Sequence, residues 1–292
     1  MKIGILTRNE ESWCGTRLRE AFENRKKAVA FFGFQDLVAK IGPTSRVSFA
    51  EMNLASDLSA LLVRPIGRGS LDEVIFQLDI LHTLSHRGVP VINQPTAIEK
   101  AVDKYRALEL LRSVGIPVPE TVVTENVKEA VQAFKDFGGE AIVKPVFGSR
   151  GIGAARISDL DVAERVFRTL RFYKHVIYVQ KFIPHGTSDI RAFVVGDEIV
   201  AAMRRESRSW KTNVSQGARP VGFSPPEGLA NIVVDAARAL GCEIAGVDVM
   251  ESKGDFVINE VNSQPGWRGL QSTTKTDIAA KIADYVISQA RS

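Results

Sequence analysis

The strongest indication of the fold comes from two apolar runs, Ala245-Gly-Val-Asp-Val-Met250 and Phe256-Val-Ile-Asn-Glu-Val-Asn262. Both have the length and composition of buried strands, and Ser252-Lys-Gly-Asp255 between them is a turn signal. We therefore expect an antiparallel hairpin. With the turn centred on Gly254, position 248 lies opposite position 260, and the two-residue period of a strand puts position 262 on the same face as position 260.

The polar residues of this hairpin predict a metal site. Asp248, Glu260 and Asn262 would bring two carboxylates and an amide oxygen together, and such groups are costly to bury without compensation. Hard oxygen ligands suit Mg²⁺ or Mn²⁺, which usually bind together with the phosphates of a nucleotide. The alternative is an edge hairpin with solvated acids. We favour it less, because the neighbouring side chains leave little sign of a wet face: Val247, Val249, Val257, Ile258 and Val261.

A lysine followed by a glycine-rich loop predicts a phosphate site upstream of the hairpin. Lys144 ends a short apolar run, and Phe147-Gly-Ser-Arg-Gly-Ile-Gly153 comes just after it. The glycines Gly148, Gly151 and Gly153 allow a tight loop whose backbone N–H groups close over phosphates. Taken alone, the glycine pattern fits a flexible hairpin connection equally well.

More polar residues lie between the glycine loop and the hairpin. The strand-like run Tyr178-Val-Gln-Lys-Phe-Ile183 leads into a connector that offers backbone groups and Gln180 to an adenine edge. Charged and amide side chains whose grouping fits a triphosphate then follow: Asp189, Arg191, Arg204, Arg205, Lys211, Asn213 and Arg219. For Arg204 and Arg205, a solvated strand end is the alternative.

The order of elements predicts three units, over residues 1–95, 96–180 and 181–292. In the first unit, strand-like runs alternate with helical stretches such as Leu71 to His86, which is typical of a small α/β unit with a parallel sheet. No Gly-x-Gly-x-x-Gly motif follows its first strand, so a dinucleotide site there is unsupported.

Several helix and turn signals follow in the second and third units. The pattern predicts one helix over 98–114 and another over 127–137 that begins with a capping box at Asn126 and Glu129. A hairpin is expected to turn at Gly196-Asp197. Two further helices are predicted, over 229–240 with Gly241 as its cap and over 277–289.

Composition places the chain among ordinary globular proteins, with 292 residues of which 45% are hydrophobic and 25% charged. No run approaches the roughly 20 apolar residues of a membrane helix, and Met1 to Thr7 resembles a first strand rather than a signal peptide. We therefore expect a cytoplasmic protein that does not bind a membrane. Its net charge of +4 is spread along the chain, which favours anionic small molecules over nucleic acid as partners. Cys14 and Cys242 are expected to be free thiols.

The residues taken together carry a family resemblance over nearly the whole chain. The lysines, the glycine loop and the closing Asp248, Glu260 and Asn262 occur in the order seen in ATP-grasp ligases. Some segments resemble the branch that adds α-linked L-glutamate, typified by the ribosomal protein S6 glutamate ligase: Asp189-Ile-Arg-Ala-Phe-Val-Val-Gly196, Ala245-Gly-Val-Asp248 and Glu260-Val-Asn-Ser-Gln-Pro-Gly266. Others resemble archaeal tetrahydromethanopterin:α-L-glutamate ligases: Thr121-Val-Val-Thr-Glu-Asn126, Lys144-Pro-Val-Phe-Gly148 and Trp210-Lys-Thr-Asn-Val-Ser-Gln-Gly217.

The resemblance implies the ATP-grasp fold, of the α/β (α+β) class. A small parallel α/β pre-ATP-grasp domain would be followed by two α+β subdomains that clamp ATP. It also implies that the γ-phosphoryl group of ATP is transferred to an acceptor carboxylate, and that the amine of L-glutamate attacks the acyl phosphate to give an amide, ADP and phosphate. A pterin coenzyme is the favoured acceptor; the deazaflavin coenzyme F420 and a protein C-terminus are alternatives. A kinase-like enzyme and a binding protein without turnover are competing functions, and we expect a homo-oligomer, a dimer or a tetramer.

The resemblance assigns roles to individual residues. Two Mg²⁺ or Mn²⁺ ions would be held by Asp248, Glu260 and Asn262. The nucleotide would be bound by Lys104, Lys144, Gly148, Gly151, Gly153, Gln180, Lys181, Phe182, Ile183, Asp189 and Lys211. The transferred phosphoryl group and the developing oxyanion would be faced by Arg191, Arg205 and Asn213, where donors already in position contribute most. Lys181 departs from the branch, which commonly has Glu at this position.

Three residues are expected to contact the acceptor. Arg64 directly follows the strand-like run 60–63, where ligands of open α/β sheets tend to bind. Trp267 and Arg268 follow Asn262 by a few residues, so an indole would stack on a planar acceptor ring and the arginines would pair with its anionic groups. The alternative is that Trp267 packs at the seam between domains and Arg64 pairs with a surface acid.

Overall fold

The computed structural model describes residues 1–65, 69–148 and 152–291. Its strands are β1 (Lys2–Leu6), β2 (Ala28–Phe32), β3 (Leu37–Lys40), β4 (Arg46–Phe49), β5 (Met52–Asn53), β6 (Ala60–Val63), β7 (Val91–Ile92), β8 (Thr121–Thr124), β9 (Ala141–Val143), β10 (Ala155–Ile157), β11 (Ile177–Lys181), β12 (Ser188–Val195), β13 (Glu198–Glu206), β14 (Arg219–Gly222), β15 (Ile244–Ser252) and β16 (Asp255–Asn262). Its α-helices are α1 (Trp13–Glu23), α2 (Leu54–Asp57), α3 (Leu71–His86), α4 (Pro95–Val102), α5 (Lys104–Ser113), α6 (Val127–Asp136), α7 (Leu160–Phe172), α8 (Glu227–Leu240), α9 (Arg268–Gln271) and α10 (Ile278–Gln289).

The N-terminal part contains the expected parallel sheet, in the order β2-β1-β6-β7. Its strands are apolar because they are covered on both faces; Ile3, Ile5 and Leu61 are fully buried. Beside this sheet, β3, β4 and β5 form a small antiparallel sheet that the sequence pattern did not reveal. Only the first residue of β3 is buried, so the strand lacks the apolar alternation by which strands are predicted.

The helix expected over 98–114 is in fact two helices. Asp103 has an extended backbone between α4 and α5, and its carboxylate accepts hydrogen bonds from the N–H groups of Tyr105 and Arg106. Aspartate is a favoured N-cap, so it starts a new helix within an apolar pattern that looks continuous. The break places Lys104 at the first position of α5.

The central part is an antiparallel sheet in the order β10-β9-β11-β8, covered by α6 and α7. Phe134 and Phe167 pack from the helices onto the strands. Asn126 caps α6 by accepting a hydrogen bond from the N–H of Lys128, a single bond in place of the expected capping box.

The C-terminal part is an antiparallel sheet in the order β14-β13-β12-β15-β16. The hairpin of β12 and β13 turns at Gly196-Asp197, as predicted. Gly241 ends α8 in the left-handed conformation, also as predicted, and Asp277 caps α10. Helix α8 packs on one face of this sheet through Val233, Ala237 and their neighbours.

In the hairpin of β15 and β16, Asp248 pairs with Glu260 as predicted, but the turn is not the cause of this register. Ser252 pairs with Asp255, so the turn is Lys253-Gly254 and not a loop centred on Gly254. An unbroken register from this turn would put Asp248 opposite position 259. A β-bulge shifts the register by one residue, and Asp248 pairs with Glu260. The register near the site is therefore set by the bulge.

Within residues 1–65, 69–148 and 152–291, no helix combines the length and the apolar character needed to span a bilayer. Cys14 and Cys242 are free thiols.

Candidate active site

A cleft of about 860 Å³, open to solvent, lies between the central sheet and the C-terminal sheet. Its lining contains most of the residues that the sequence singled out: Lys104, Lys144, Gly148, Gln180, Lys181, Phe182, Ile183, Asp189, Arg205, Lys211, Asn213, Asp248 and Glu260. Residues separated by more than 150 positions thus meet in one place. We call its two sides the carboxylate wall, formed by β12, β13, β15 and β16, and the lysine wall, formed by Lys104, Lys144 and the residues around them.

The carboxylate wall is a row of charged side chains on one face of the C-terminal sheet. Arg205 pairs across strands with Asp189, Arg191 lies two residues after Asp189 on β12, and Asp248 pairs across strands with Arg191. Glu260 lies opposite Asp248 and extends the row to a fourth strand. Because side chains two residues apart share a face, strand register alone brings these charges together.

The arginines and aspartates of this wall form two ion pairs, and Arg205 links them by also approaching Asp248. Arg205 donates to both oxygens of Asp189, from Nε at 2.7 Å and from Nη2 at 2.5 Å. Arg191 binds Asp248 in the same forked way, with Nη2 2.6 Å from Oδ2. Arg205 Nη2 also lies 3.0 Å from Asp248 Oδ1. Forked pairs of this kind fix side-chain orientation as well as charge.

The pKa of Asp248 reflects this pairing. Burial by itself would raise it, but the charges of Arg191 and Arg205 outweigh burial and hold the pKa of Asp248 below its usual value. Burial likewise acts to lower the pKa of Arg205, and the charges of Asp248 and Asp189 raise it on balance. Asp248 and Arg205 therefore each favour the charged form.

Gly246 makes room for one of these pairs. A Cβ at this position would lie 2.9 Å from Arg191 Nη1 and 2.8 Å from the Cβ of Pro265. Any larger residue would push the guanidinium away from Asp248. The role of Gly246 was not apparent from the sequence, because it depends on the strand that lies beside β15.

The predicted metal ligands suit a divalent ion that also binds phosphate. Asp248 and Glu260 face each other across β15 and β16, and Asn262 is two residues beyond Glu260. No cluster of three His, Cys, Asp or Glu side chains occurs among the described residues. A set of two carboxylates and one amide oxygen fits Mg²⁺, which is usually held by one or two carboxylates while substrate phosphates complete its shell. The Oδ1 atom of Asn259, at the bulge, is also buried, and no hydrogen bond to it occurs among the described residues.

The lysine side chains of the lysine wall donate hydrogen bonds to neutral groups. Lys104 Nζ donates to the carbonyl oxygens of Val146, at 3.3 Å, and Gly148, at 2.5 Å. Lys144 Nζ donates to Gln180 Oε1 at 3.1 Å and lies 5.2 Å from the ring centre of Tyr178. Burial lowers the pKa of Lys144 to about 8, although the charge of Glu260 opposes the change, and burial lowers the pKa of Lys104 as well.

The glycine loop is described only in part. Gly148 and Gly153 have φ values of 148° and 80°, which residues other than glycine rarely adopt. A Cβ at Gly153 would lie close to Pro145. Gly151 lies outside the described residues. A phosphate contact from this loop therefore stays a prediction.

Comparison with known proteins identifies the family. The RimK-like ATP-grasp domain matches residues 101–286, and the RimK PreATP-grasp domain matches residues 1–98. The chain belongs to the RimK-like ATP-grasp family.

Relatives match this ATP-grasp ligase over its full length. A tetrahydromethanopterin:alpha-L-glutamate ligase of Methanocaldococcus jannaschii is 34% identical, with all of both chains covered. One of Methanococcus maripaludis is 33% identical, with 100% of this chain and 99% of that protein covered. A probable alpha-L-glutamate ligase of Photobacterium profundum is also 33% identical over 98% of this chain and 95% of its own length. The enzyme class predicted from the sequence, an ATP-grasp ligase, is confirmed.

Solved structures confirm the ATP-grasp fold. A RimK domain protein from Sphaerobacter thermophilus has a TM-score of 0.77 at 22% identity and covers 98% of this chain and 100% of its own. The ATP-grasp ligase PsnB, complexed with a precursor variant, Mg and ADP, has a TM-score of 0.75 at 19% identity, with 98% of each chain covered. The predicted fold class, with a parallel N-terminal sheet followed by antiparallel sheets, is correct.

In this family member, the segment expected to bind adenine is partly committed to other contacts. Gln180 is 2% exposed, accepts from Lys144, and donates to Thr121 Oγ1 and the Tyr178 hydroxyl at 3.1 Å each. Its side chain therefore anchors the lysine wall and is not free to bind an adenine edge. Lys181, where the branch commonly has Glu, forms a 2.6 Å ion pair with Glu120.

Two of the predicted acceptor contacts lie in the protein interior. Trp267 is 1% exposed and packs against Trp13 and Phe193, so its ring cannot stack on an acceptor as expected. Arg64, 5% exposed, lies over this indole and donates to the Pro265 carbonyl at 2.7 Å. The alternative agrees with the structure for Trp267, which packs at the seam between domains. It is wrong for Arg64, which is buried and donates to a backbone carbonyl instead of pairing with a surface acid. Arg268 is exposed at the start of α9, and its acceptor contact stays a prediction.

Several residues that line the cleft were not selected by the sequence analysis. Trp210 lines it beside Lys211, whose ammonium group is 5.2 Å from the indole. His185, for which no sequence motif indicated a role, lines it too, with Nδ1 2.9 Å from the Ser188 carbonyl oxygen. Thr212, Met250 and Asn259 complete this group. Their positions follow from loop geometry and from the bulge, for which the sequence has no motif.

Proposed function

We propose that this ATP-grasp ligase joins L-glutamate through an α-linked amide bond to the carboxylate of a tetrahydromethanopterin-type coenzyme. The observation that carries the proposal is the full-length similarity, at 33% and 34% identity, to ligases named for this acceptor. The cleft supports it, because lysines suited to bind phosphates face carboxylates suited to hold a divalent ion.

The proposed roles of the site residues differ between the two walls. Lys104 and Lys144, with the backbone at Gly148 and Gly153, bind the phosphates. The connector after β11, at Lys181, Phe182 and Ile183, holds the adenine, and Lys211 adds a charge. Asp189 keeps Arg205 in place through the pair described above, and its direct contact with nucleotide stays a prediction.

The carboxylate wall supplies the groups at the reacting phosphoryl. Asp248, Glu260 and Asn262 would hold two Mg²⁺ or Mn²⁺ ions, which neutralise phosphate charge when bound. Arg191 and Arg205 on this wall, together with Asn213 from the segment between β13 and β14, orient donors toward the transferred phosphoryl group and the oxyanion that develops when the glutamate amine attacks the acyl phosphate. The carboxylate of the acceptor and the amine of glutamate therefore meet at this wall. A homo-oligomeric state and a cytoplasmic location stay predictions from the sequence.

The test is ADP release by the purified protein with ATP and Mg²⁺, with each acceptor in turn, and with and without L-glutamate. The acceptors are a tetrahydromethanopterin-type pterin, coenzyme F420 and a peptide that ends in glutamate. We expect glutamate-dependent ADP release with the pterin alone, and a product heavier by one glutamyl residue in mass spectrometry. Turnover with F420 or the peptide but not with the pterin would reject the acceptor proposal. ADP release that is independent of glutamate would reject ligation.

A further inference from the structure

Asn93 connects the N-terminal domain to both strands of the hairpin that carries Asp248 and Glu260. It directly follows β7, the edge strand of the parallel sheet, and its side chain is 2% exposed. Its amide nitrogen donates to the carbonyl of Ile244 at 2.8 Å and to that of Ser263 at 2.5 Å. Its amide oxygen accepts from the N–H of Ile244 at 2.8 Å.

These three bonds close the open end of the hairpin. The Lys253-Gly254 turn joins the strands at one end, and the last pair at the other end is Gly246 with Asn262. Beyond that pair, the Asn93 amide takes the place of a further rung: it exchanges two bonds with Ile244 as a strand would, and holds Ser263 with a third.

The site lies within a few residues of this clamp. Ser263 directly follows Asn262, and Asp248 lies four residues after Ile244 on the same strand. An ion shared by ligands on two strands requires their separation to be held within roughly 0.5 Å. Polar partners behind the ligands usually provide such control, and their loss typically weakens metal binding by about 10- to 100-fold.

We propose that Asn93 is a positioning residue that holds β15 and β16 at the spacing needed to bind a divalent ion between Asp248, Glu260 and Asn262. It touches neither the ion nor the substrates. The proposal rests on the assignment of these three ligands in the proposed function. Through Asn93, the N-terminal domain contributes to a metal site whose ligands all belong to the C-terminal sheet.

The test measures Mn²⁺ binding by electron paramagnetic resonance in the presence of AMPPNP, for the parent, Asn93→Ser and Asn93→Ala. We expect the Mn²⁺ Kd to rise about tenfold or more in both variants. The Kd for AMPPNP without metal should stay within about twofold of the parent, since the lysine wall is not altered. A Mn²⁺ Kd within about twofold of the parent in either folded variant would overturn the proposal.

Arg25→Ala is the matched control for a purely structural role. Arg25 also joins the N-terminal domain to the C-terminal part, through Asp284 at 2.6 Å and 2.8 Å and the Ala280 carbonyl at 3.2 Å, but it contacts α10 instead of the hairpin. We expect this variant to lose thermal stability without any change in the Mn²⁺ Kd. An equal loss of Mn²⁺ affinity in Arg25→Ala would show that the effect of Asn93 is only general loosening, and would overturn the proposal.

Two further measurements separate the possible failures. Glu260→Gln should lose Mn²⁺ affinity. If this variant binds Mn²⁺ like the parent, the ligand assignment is wrong. If Glu260→Gln loses Mn²⁺ affinity and Asn93→Ser does not, only the positioning role is rejected. In the parent protein, linkage requires Mn²⁺ with AMPPNP to strengthen the clamp. Hydrogen exchange of the Ile244 amide should therefore slow on binding, and unchanged exchange there would overturn the proposal even if neither Asn93 variant folds.

Discussion

The carboxylate wall and the lysine wall face the same cleft but compensate their charges differently. On the carboxylate wall, Asp189 and Asp248 are already paired with Arg205 and Arg191 at 2.5 to 3.0 Å. On the lysine wall, Lys104 and Lys144 bind carbonyl and amide oxygens, and in the part of the chain that the structure describes neither has an ion-pair partner.

This difference separates two tasks. Cations held only by neutral acceptors keep their charge available for an anion, so the lysine wall is suited to bind phosphates directly. Paired carboxylates are stable without a ligand, but a metal ion must share Asp248 with Arg191 and Arg205. Glu260 forms no ion pair among the described residues, and it is therefore the carboxylate most available to a metal ion.

Glu260→Gln tests that availability and should have the largest effect. The substitution keeps the shape of the side chain and removes the charge that would lie between two divalent ions. We expect turnover to fall at least about a thousandfold, or roughly 4 kcal/mol in activation free energy, with the fold intact by circular dichroism. Glu251→Gln, on the same hairpin but paired with Arg204, is the control and should retain activity. Activity of Glu260→Gln within tenfold of the parent would remove Glu260 from the metal site.

Arg205→Ala removes one of the two arginines that balance the charges of the buried aspartates on the carboxylate wall. It leaves Asp189 and Asp248 buried with one cation fewer, and loss of one partner from a buried pair costs about 3 kcal/mol or more. We expect urea unfolding to show a loss of this size. Arg204→Ala, at the neighbouring position, is the control. It removes a half-exposed ion pair with Glu251 and should lower the free energy of unfolding by about 1 kcal/mol or less. Equal losses in the two variants would mean that the buried pairing contributes no more than a surface pair.

Lys144→Ala addresses the lysine wall and should have the smallest effect of the three. We expect ATP binding by calorimetry to weaken about tenfold, roughly 1.4 kcal/mol, while thermal stability without nucleotide changes little. Lys135→Ala, an exposed lysine on α6, is the control and should bind ATP like the parent.

The pH dependence of the same variant sharpens this test. Because the pKa of Lys144 is lowered to about 8, its charge is present below that pH and is lost above it. ATP affinity of the parent should therefore fall as the pH rises through about 8 or slightly higher, since bound phosphate favours the charged lysine. The affinity of Lys144→Ala should lack this step. An identical step in both proteins would assign the titration to another group.

The parts of this protein that depend on local pattern could be predicted from its sequence. Strand runs and turn signals predicted the β15–β16 and β12–β13 hairpins, and helix periodicity with Gly241 predicted α8. The order of lysines, glycine loop and acidic hairpin predicted the family and the residues of one cleft. These features are readable because hydrophobic periodicity and turn chemistry act between near neighbours in the chain.

How those residues are combined depends on packing between parts of the chain that are distant in sequence. The bulge that places Glu260 opposite Asp248, the space that Gly246 leaves for Arg191, and the burial of Trp267 all depend on which strand or domain lies alongside. The same holds for the bonds of Asn93 to residues 151 and 170 positions away. Contacts over such separations are set by packing between elements, which leaves no periodic signal in the sequence of either partner.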